Sequence, residues 1–145
     1  MAITFEPARP TDRAALESLL TSFQLATEDL PDNLDGFTLA LDNGLLIGSV
    51  GLEQIGPYGL LRSVAVQEAY RNLGVGQRLY TAALNLAQAA HLRELWLITN
   101  TAADYFEKHG FERIDRAGVP VEITAIPQFT TLCPSSAIVM HKTVP

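Results

Sequence analysis

The chain has 145 residues, one cysteine and a formal net charge of −6, with 48% hydrophobic and 18% charged residues, which fits one domain with a core of its own. A single thiol excludes an internal disulfide framework and a four-thiolate zinc site. Scattered rather than clustered Lys and Arg on an acidic chain argue against nucleic acid as the main partner. The opening MAITFEPARP lacks the basic start and apolar stretch of a secretory leader, and no apolar run reaches membrane-spanning length. A cytoplasmic protein with no membrane partner is therefore expected.

In chain order, ITFEPA reads as a first strand and TDRAALESLLTSFQL as a helix. Leu16, Leu19, Leu20 and Phe23 recur at helical spacing, with Thr11 or Asp12 as cap. TEDLPDNL is a turn or a broken helix, because Pro31 interrupts it. FTLALDNGLLIGSVGLEQI reads as two strands around DNG, a strong hairpin signal. GPYG turns the chain again into LLRSVAV. Val75, Leu79, Ala83, Leu86 and Ala90 then mark the apolar face of a helix. ELWLITN is an apolar strand, and TAADYFEKHG a short helix ended by Gly110 at its C′ position. FERI and SAIVMHKTV are later strands; PVEITAIPQFTTLCP is expected to hold a strand edge and a short helix. No repeat or linker interrupts residues 1–145, so one domain is expected. Antiparallel hairpins followed by strand–helix–strand over 60–100 predict an α/β mixed sheet with one right-handed parallel crossover.

At that crossover, EAYRNLGVGQRLY places Gly74 and Gly76 where a strand gives way to a helix, flanked by Arg71 and Arg78. The first amides of a helix lack partners within it and carry partial positive charge. Glycines leave no Cβ in the way of a close approach, so the turn can hold a phosphate. It is neither a P-loop, which needs G-x-x-x-x-G-K-[ST], nor a full G-x-G-x-x-G, since Leu79 stands at the third glycine's place. A plain glycine turn is the alternative.

LLRSVAVQEAYRNLGVGQRLY resembles the coenzyme A loop of the GNAT superfamily of N-acetyltransferases. The family pattern [RQ]-x-x-G-x-[GA] after the fourth strand is met by Arg71, Gly74 and Gly76. A second family signature is an Asn at a strand end followed by a short helix ending in G-F; it is met by Asn100 and AADYFEKHGF, with Gly110 and Phe111. The resemblance covers about residues 45–115. It implies a GNAT-like fold with helices on both faces of the sheet, acetyl-CoA as co-substrate and no metal. Main-chain groups of Arg71, Asn72, Leu73, Gly74, Val75 and Gly76 would hold the pyrophosphate. Val64, Ala65 and Val66 would run beside the pantetheine arm, with Asn100, Ala103 and Phe106 on its other side. Many members carry a tyrosine, able to protonate the leaving thiolate, where this chain has Phe106. Tyr105 stands one residue earlier, about 100° round the helix. It is read either as a substitute acid or as an ordinary helix tyrosine.

An amine attacks a thioester only when neutral, and a model α-amino group has a pKa of about 7.7–8.0, so a base is required. Glu53, in the apolar run VGLEQIG, is the candidate. Its alternative role is a cross-strand ion pair with Arg62, expected if GPYG is a turn that pairs Gly56 with Gly59. Pro57 is read as barring the primed turns that tight hairpins prefer. The two roles of Glu53 are compatible, and Arg62 is expected either to hold its carboxylate or to fork that of an acceptor. GLLRSVAV and CPSSA together resemble a narrower subgroup found with arsenic-resistance genes, akin to amino-acid N-acetyltransferases such as the glutamate enzyme. This implies a small amino-acid-like amine acceptor, an arsenic-containing amino acid among them. Arg62, Ser63, Cys133, Ser135 and Ser136 would be its binding residues. Cys133 is read as a buried small hydrophobe in preference to a ligand, and direct attack without an acyl-enzyme is expected. A non-catalytic coenzyme A binding module and a peptide or protein N-acetyltransferase are the rival readings. A homodimer is left open. His91, His109 and His141 form no metal triad; His91 and His109 are read as helix C-terminal residues favoured by the dipole.

Overall fold

A computed structural model describes residues 2–130 and 137–145. Among these residues seven strands form a mixed sheet in the order β1-β2-β3-β4-β5-β7-β6, and the chain packs as two compact units, Met1–Leu52 with Leu61–Leu86 and Glu53–Leu60 with Ala87–Pro145.

The first unit opens with β1 (Ile3–Pro7) and α1 (Arg13–Ser22). The helix predicted over 11–25 is shorter at both ends, because Pro10–Asp12 forms a 3-10 turn and the chain leaves helix after Ser22, with Gln24 left-handed at φ +58°. Asp12 occupies the N-cap position of α1 but makes no side-chain cap bond to it. Its Oδ2 instead accepts the Arg9 N–H at 2.8 Å. Leu16, Leu19 and Leu20 are buried against Leu30, Leu34, Phe37, Leu39, Leu41 and Ala65, with Phe23 partly buried at the margin. Each such leucine contributes about 1.5–3 kcal/mol on burial. β2 (Phe37–Asp42) and β3 (Leu45–Ile55) flank Asn43 and Gly44, whose φ values of 50° and 86° suit the type I′ turn that DNG predicts.

The next turn corrects the expectation. β3 ends at Ile55 and β4 (Tyr58–Val66) starts at Tyr58, so Gly56 and Pro57 alone make the turn. Gly56 has φ +61°. In a II′ turn only the first central residue needs positive φ; glycine supplies it there, and Pro57 sits second, where its ring's negative φ belongs. Proline therefore does not bar a primed turn, and a register counted from a Gly56–Gly59 pair does not apply.

α2 (Val75–Ala89) buries Val75, Leu79, Tyr80, Ala83 and Ala87, whereas Leu86 is 38% exposed. The buried face is thus rotated from the predicted one. Residues 75, 79, 83 and 87 drift together round the helix, and Leu86 lies about 60° off Ala83 on the side away from Ala87. A Cβ at Gly48 would sit 3.2 Å from the Leu79 side chain and 3.1 Å from the Ala65 carbonyl oxygen, so β3 lacks a side chain where α2 comes close.

In the second unit, β5 (Glu94–Thr99) runs parallel to β4 through the pairs Tyr58–Glu94, Gly59–Leu95 and Leu60–Trp96. The parallel pairing over 60–100 is as the strand–helix–strand order predicts. β7 (Ile138–Thr143) lies between β5 and β6 (Glu112–Ile114), antiparallel to both. Trp96, Val119, Ile123 and Val139 form this unit's core, with Tyr58, Ile114 and Phe129 packed on it. α3 (Ala103–Glu107) precedes β6. The stretch 120–134, expected to hold a strand edge and one helix, contains two short helices among its described residues, α4 (Val121–Thr124) and α5 (Pro127–Thr130). Pro120 stands at the N-cap of α4 and Pro127 opens α5, helix-start positions where a missing N–H costs little. Among the described residues no helix is long and apolar enough to cross a membrane.

Candidate active site

The glycine turn belongs to the first unit and is anchored on both sides. At the end of β4 the Gln67 N–H donates to the Ile47 carbonyl at 2.8 Å, and Gln67 Nε2 to the Leu46 carbonyl at 3.3 Å. Glu68–Tyr70 make a 3-10 turn, and the Tyr70 hydroxyl donates to Asp42 Oδ2. That bond lowers the Asp42 pKa, helped by the Ala2 N–H, and raises that of Tyr70. The chain then takes an extended residue at Arg71 and left-handed ones at Asn72 (φ +65°) and Gly74 (φ +80°). Arg71, Asn72, Leu73 and Gly74 are all exposed. The Gly74 carbonyl accepts the Arg78 N–H at 3.1 Å, the first bond of α2.

The first amides of this 15-residue helix thus have no intrahelical partner and open beside an exposed turn. Their aligned dipoles amount to about half a positive charge. A Cβ at Gly74 would meet nothing within 4 Å; its left-handed φ, not crowding, calls for glycine there. Arg71 donates from Nε to the Val66 carbonyl at 3.2 Å and lies 5.6 Å from the Phe23 ring centroid. Arg78 lies 4.2 Å over Phe5. Local positive charge therefore gathers on an acidic chain, and these residues fit a diphosphate.

Upstream of that turn, β4 contains a left-handed residue in its interior, Ser63, with φ +55°. Ser63 is buried, and its carbonyl accepts the Ser49 hydroxyl at 2.7 Å. Its Oγ accepts Arg62 Nε at 3.1 Å. The Arg62 side chain is 1% exposed and forks Asp29, with Nη1 to Oδ2 at 2.9 Å and Nη2 to Oδ1 at 2.8 Å. The fork that the sequence offered to an acceptor's carboxylate is therefore taken by Asp29, a residue of the α1–β2 loop 33 positions away in sequence. Val64 and Val66 are half-buried, while Ala65 packs its methyl into the α1 core. Only the main chain of Ala65 is left for a ligand.

In the second unit, Asn100 is exposed just beyond β5, and Ala103 and Phe106 are buried in α3. The G-F pair has a local physical cause. Gly110 has φ +90°, and the Phe111 N–H returns to the Phe106 carbonyl at 3.1 Å. The two rings meet edge-on at 5.7 Å, which makes a Schellman cap with its apolar contact. Tyr105 is 41% exposed and rests on Phe106 and His109. Burial and then the charge of Lys142 lower the His109 pKa, so the expected dipole-favoured cation is disfavoured at this position. Lys142 Nζ donates to the His109 carbonyl at 2.8 Å instead. Glu53, on β3, is half-buried. Cys133, Ser135 and Ser136 lie outside the described residues. Among the described residues no group of three metal-ligating side chains is assembled.

Sequence reasoning missed Asp29, Ser49 and the Tyr70–Asp42 bond. TEDLPDNL offers Glu28, Asp29 and Asp32 with equal claim to a distant arginine. No local pattern marks a serine for the left-handed region.

The first unit thus holds an exposed glycine turn that opens a helix after a kinked fourth strand, and the second unit holds a short helix capped by Gly-Phe. The pattern of the acetyltransferase (GNAT) family matches residues 4–111, and the chain belongs to that family. It is 28% identical over 97 residues to an amino-acid acetyltransferase from Aeromonas salmonicida (strain A449), a match covering 66% of this chain and 22% of that one. Its fold resembles that of N-acetylglutamate synthase from Neisseria gonorrhoeae complexed with coenzyme A and N-acetyl-glutamate, with TM-score 0.85 and 15% identity over 100% of this chain and 36% of that chain. It also resembles a Mycobacterium tuberculosis protein in complex with CoA and NLQ, with TM-score 0.78 and 20% identity over 98% of this chain and 99% of that one. The chain thus spans about a fifth of the amino-acid acetyltransferase and about a third of the synthase chain.

Proposed function

We propose that this chain transfers the acetyl group of acetyl-CoA to the amine of a small amino-acid-like acceptor by direct attack. The observation that carries the reading is the exposed left-handed turn at Asn72 and Gly74 opening the amides of α2. Its membership of the family and its likeness to an amino-acid acetyltransferase support the donor and the acceptor class respectively.

In this reading the amides from Arg71 to Gly76 bind the pyrophosphate, and the main chain of Val64–Val66 aligns the pantetheine arm. Asn100, Ala103 and Phe106 line the arm's other side. Acetyl-CoA supplies the thioester. Glu53 takes the proton the amine must lose before its nitrogen bonds the acetyl carbon and the C–S bond breaks. The departing thiolate takes a proton from water or from Tyr105. Phe106, packed on Phe111, carries no proton to give, which keeps Tyr105 in the reading. The Asp29–Arg62 fork supports an acceptor whose acidic group is met by a cation other than Arg62. An arsenic-containing amino acid is the narrowest form of the reading and rests on GLLRSVAV and CPSSA alone.

The test is a thermal shift with acetyl-CoA followed by free-thiol release over a panel of amino acids, arsenic-bearing analogues and peptides. A rise in Tm with acetyl-CoA is expected, because a ligand of the native state alone stabilises it. Thiol release with free amino acids is expected next. Binding without release across the panel would favour the non-catalytic module, and release with peptides alone would favour the protein N-acetyltransferase. No binding at all would remove the donor.

A further inference from the structure

Ser63 has a β-carbon and still sits at φ +55° inside a strand. Inside a strand, a residue other than glycine or asparagine holds the left-handed region at a cost that its surroundings must offset. Among the described residues three side chains of the first unit brace it, directly or through one another. Ser49, 0% exposed, holds the Ser63 carbonyl at 2.7 Å. Arg62 Nε holds the Ser63 hydroxyl at 3.1 Å. Asp29 holds the Arg62 guanidinium through two short bonds and adds its own carbonyl to Nη1 at 3.3 Å. The loop bearing Asp29 is itself gripped from α1, where Arg13 reaches the carbonyls of Pro31 at 2.8 Å and Leu30 at 3.3 Å. Immediately after Ser63 come Val64, Ala65 and Val66.

We propose that Asp29 is a positioning residue for the donor. Through Arg62 it latches Ser63 in the left-handed conformation, and that kink sets where the main chain of Val64–Val66 lies. The inference rests on the reading that Val64–Val66 align the pantetheine arm. Asp29 touches neither donor nor reacting atoms; it acts by fixing the guanidinium that fixes the serine. A fork is suited to this task because two parallel bonds restrict rotation as well as position. With both side chains almost dry, the bonds gain strength from the low local dielectric.

The test is Asp29→Asn, with acetyl-CoA Kd measured by calorimetry, KM and kcat measured separately, and Tm recorded. Acetyl-CoA binding is expected to weaken about tenfold, the size of the left-handed strain that the latch offsets, with the change seen in KM for acetyl-CoA rather than in kcat. Ser63→Gly in the same chain should restore donor affinity, because glycine takes φ +55° unaided, while leaving the lower Tm of the broken ion pair. A purely structural role would lower Tm with no change in Kd, and that result overturns the proposal; so does failure of Ser63→Gly to restore Kd. If Asp29→Asn does not fold, Asp29→Leu with Arg62→Met removes the latch without a buried charge. Wild-type donor affinity in that double variant would also overturn it. Wild-type chain that fails to bind acetyl-CoA removes the donor reading and this inference with it. Wild-type binding with an unaltered variant removes the latch alone.

Discussion

Gly74→Ala isolates the conformational demand at the glycine turn proposed to hold the coenzyme. A β-carbon there meets no atom within 4 Å, so crowding adds nothing and the whole cost is that of holding alanine at φ +80°. That cost is about 1–2 kcal/mol. For a chain of 145 residues, each 1 kcal/mol lowers Tm by about 2–4 °C. The expected loss is therefore about 2–8 °C, read from a thermal melt without ligand. If alanine relaxes toward negative φ, the amides opening α2 turn away, and acetyl-CoA affinity should fall more than about tenfold, or about 1.4 kcal/mol. Gly74→Asn should lose roughly half as much stability, since asparagine visits the left-handed region more readily than alanine. Wild-type melting and wild-type affinity for the alanine variant would refute the left-handed turn and its role together.

Arg71→Glu places negative charge beside the turn and removes the bond to the Val66 carbonyl; calorimetry at low salt should show acetyl-CoA binding at least about tenfold weaker, and unchanged affinity would count against the loop. Glu53→Gln should cut kcat near neutral pH by about 10²-fold and recover part of it as pH approaches the amine pKa of about 8; a rate–pH profile equal to wild type would remove Glu53 as base. His109 has a folded pKa below its ordinary 6.5, from burial and then Lys142. The unfolded chain therefore takes up this proton first, so the stability contributed is present above pH 6.5 and lost as pH falls through the folded value. Melts between about pH 7 and pH 5 should fall less steeply for His109→Gln than for wild type, and parallel curves would refute the assignment.

Where function is written in short-range backbone geometry, the order of residues determines it. Gly74, after a strand and before a long apolar-faced helix, supplies the left-handed residue that the turn needs. Gly110-Phe111 is a helix cap spelled in two letters, closed where the Phe111 ring meets that of Phe106. DNG yields its I′ turn for the same reason, since positive φ is a local demand. Gly56-Pro57 is equally local, yet the expectation misplaces its turn, because proline's fixed φ is the louder signal and the glycine before it carries the conformation.

What needs the tertiary structure is contact across long sequence separations. Asp29 and Arg62 are 33 positions apart and Tyr70 and Asp42 are 28, and no periodicity links them. The left-handed Ser63 has no sequence sign at all, since serine in an apolar strand favours extended backbone until Ser49 and Arg62 hold it otherwise. The residues alone therefore determined the glycine turn, the helix cap and the succession of most elements along the chain, because each follows from φ preferences and spacing within a few neighbours. Only the folded chain decided which carboxylate meets Arg62 and where β4 bends. Those outcomes depend on which buried groups find partners once the α1–β2 loop closes on the sheet, and a buried charge accepts whichever partner the packing brings within reach.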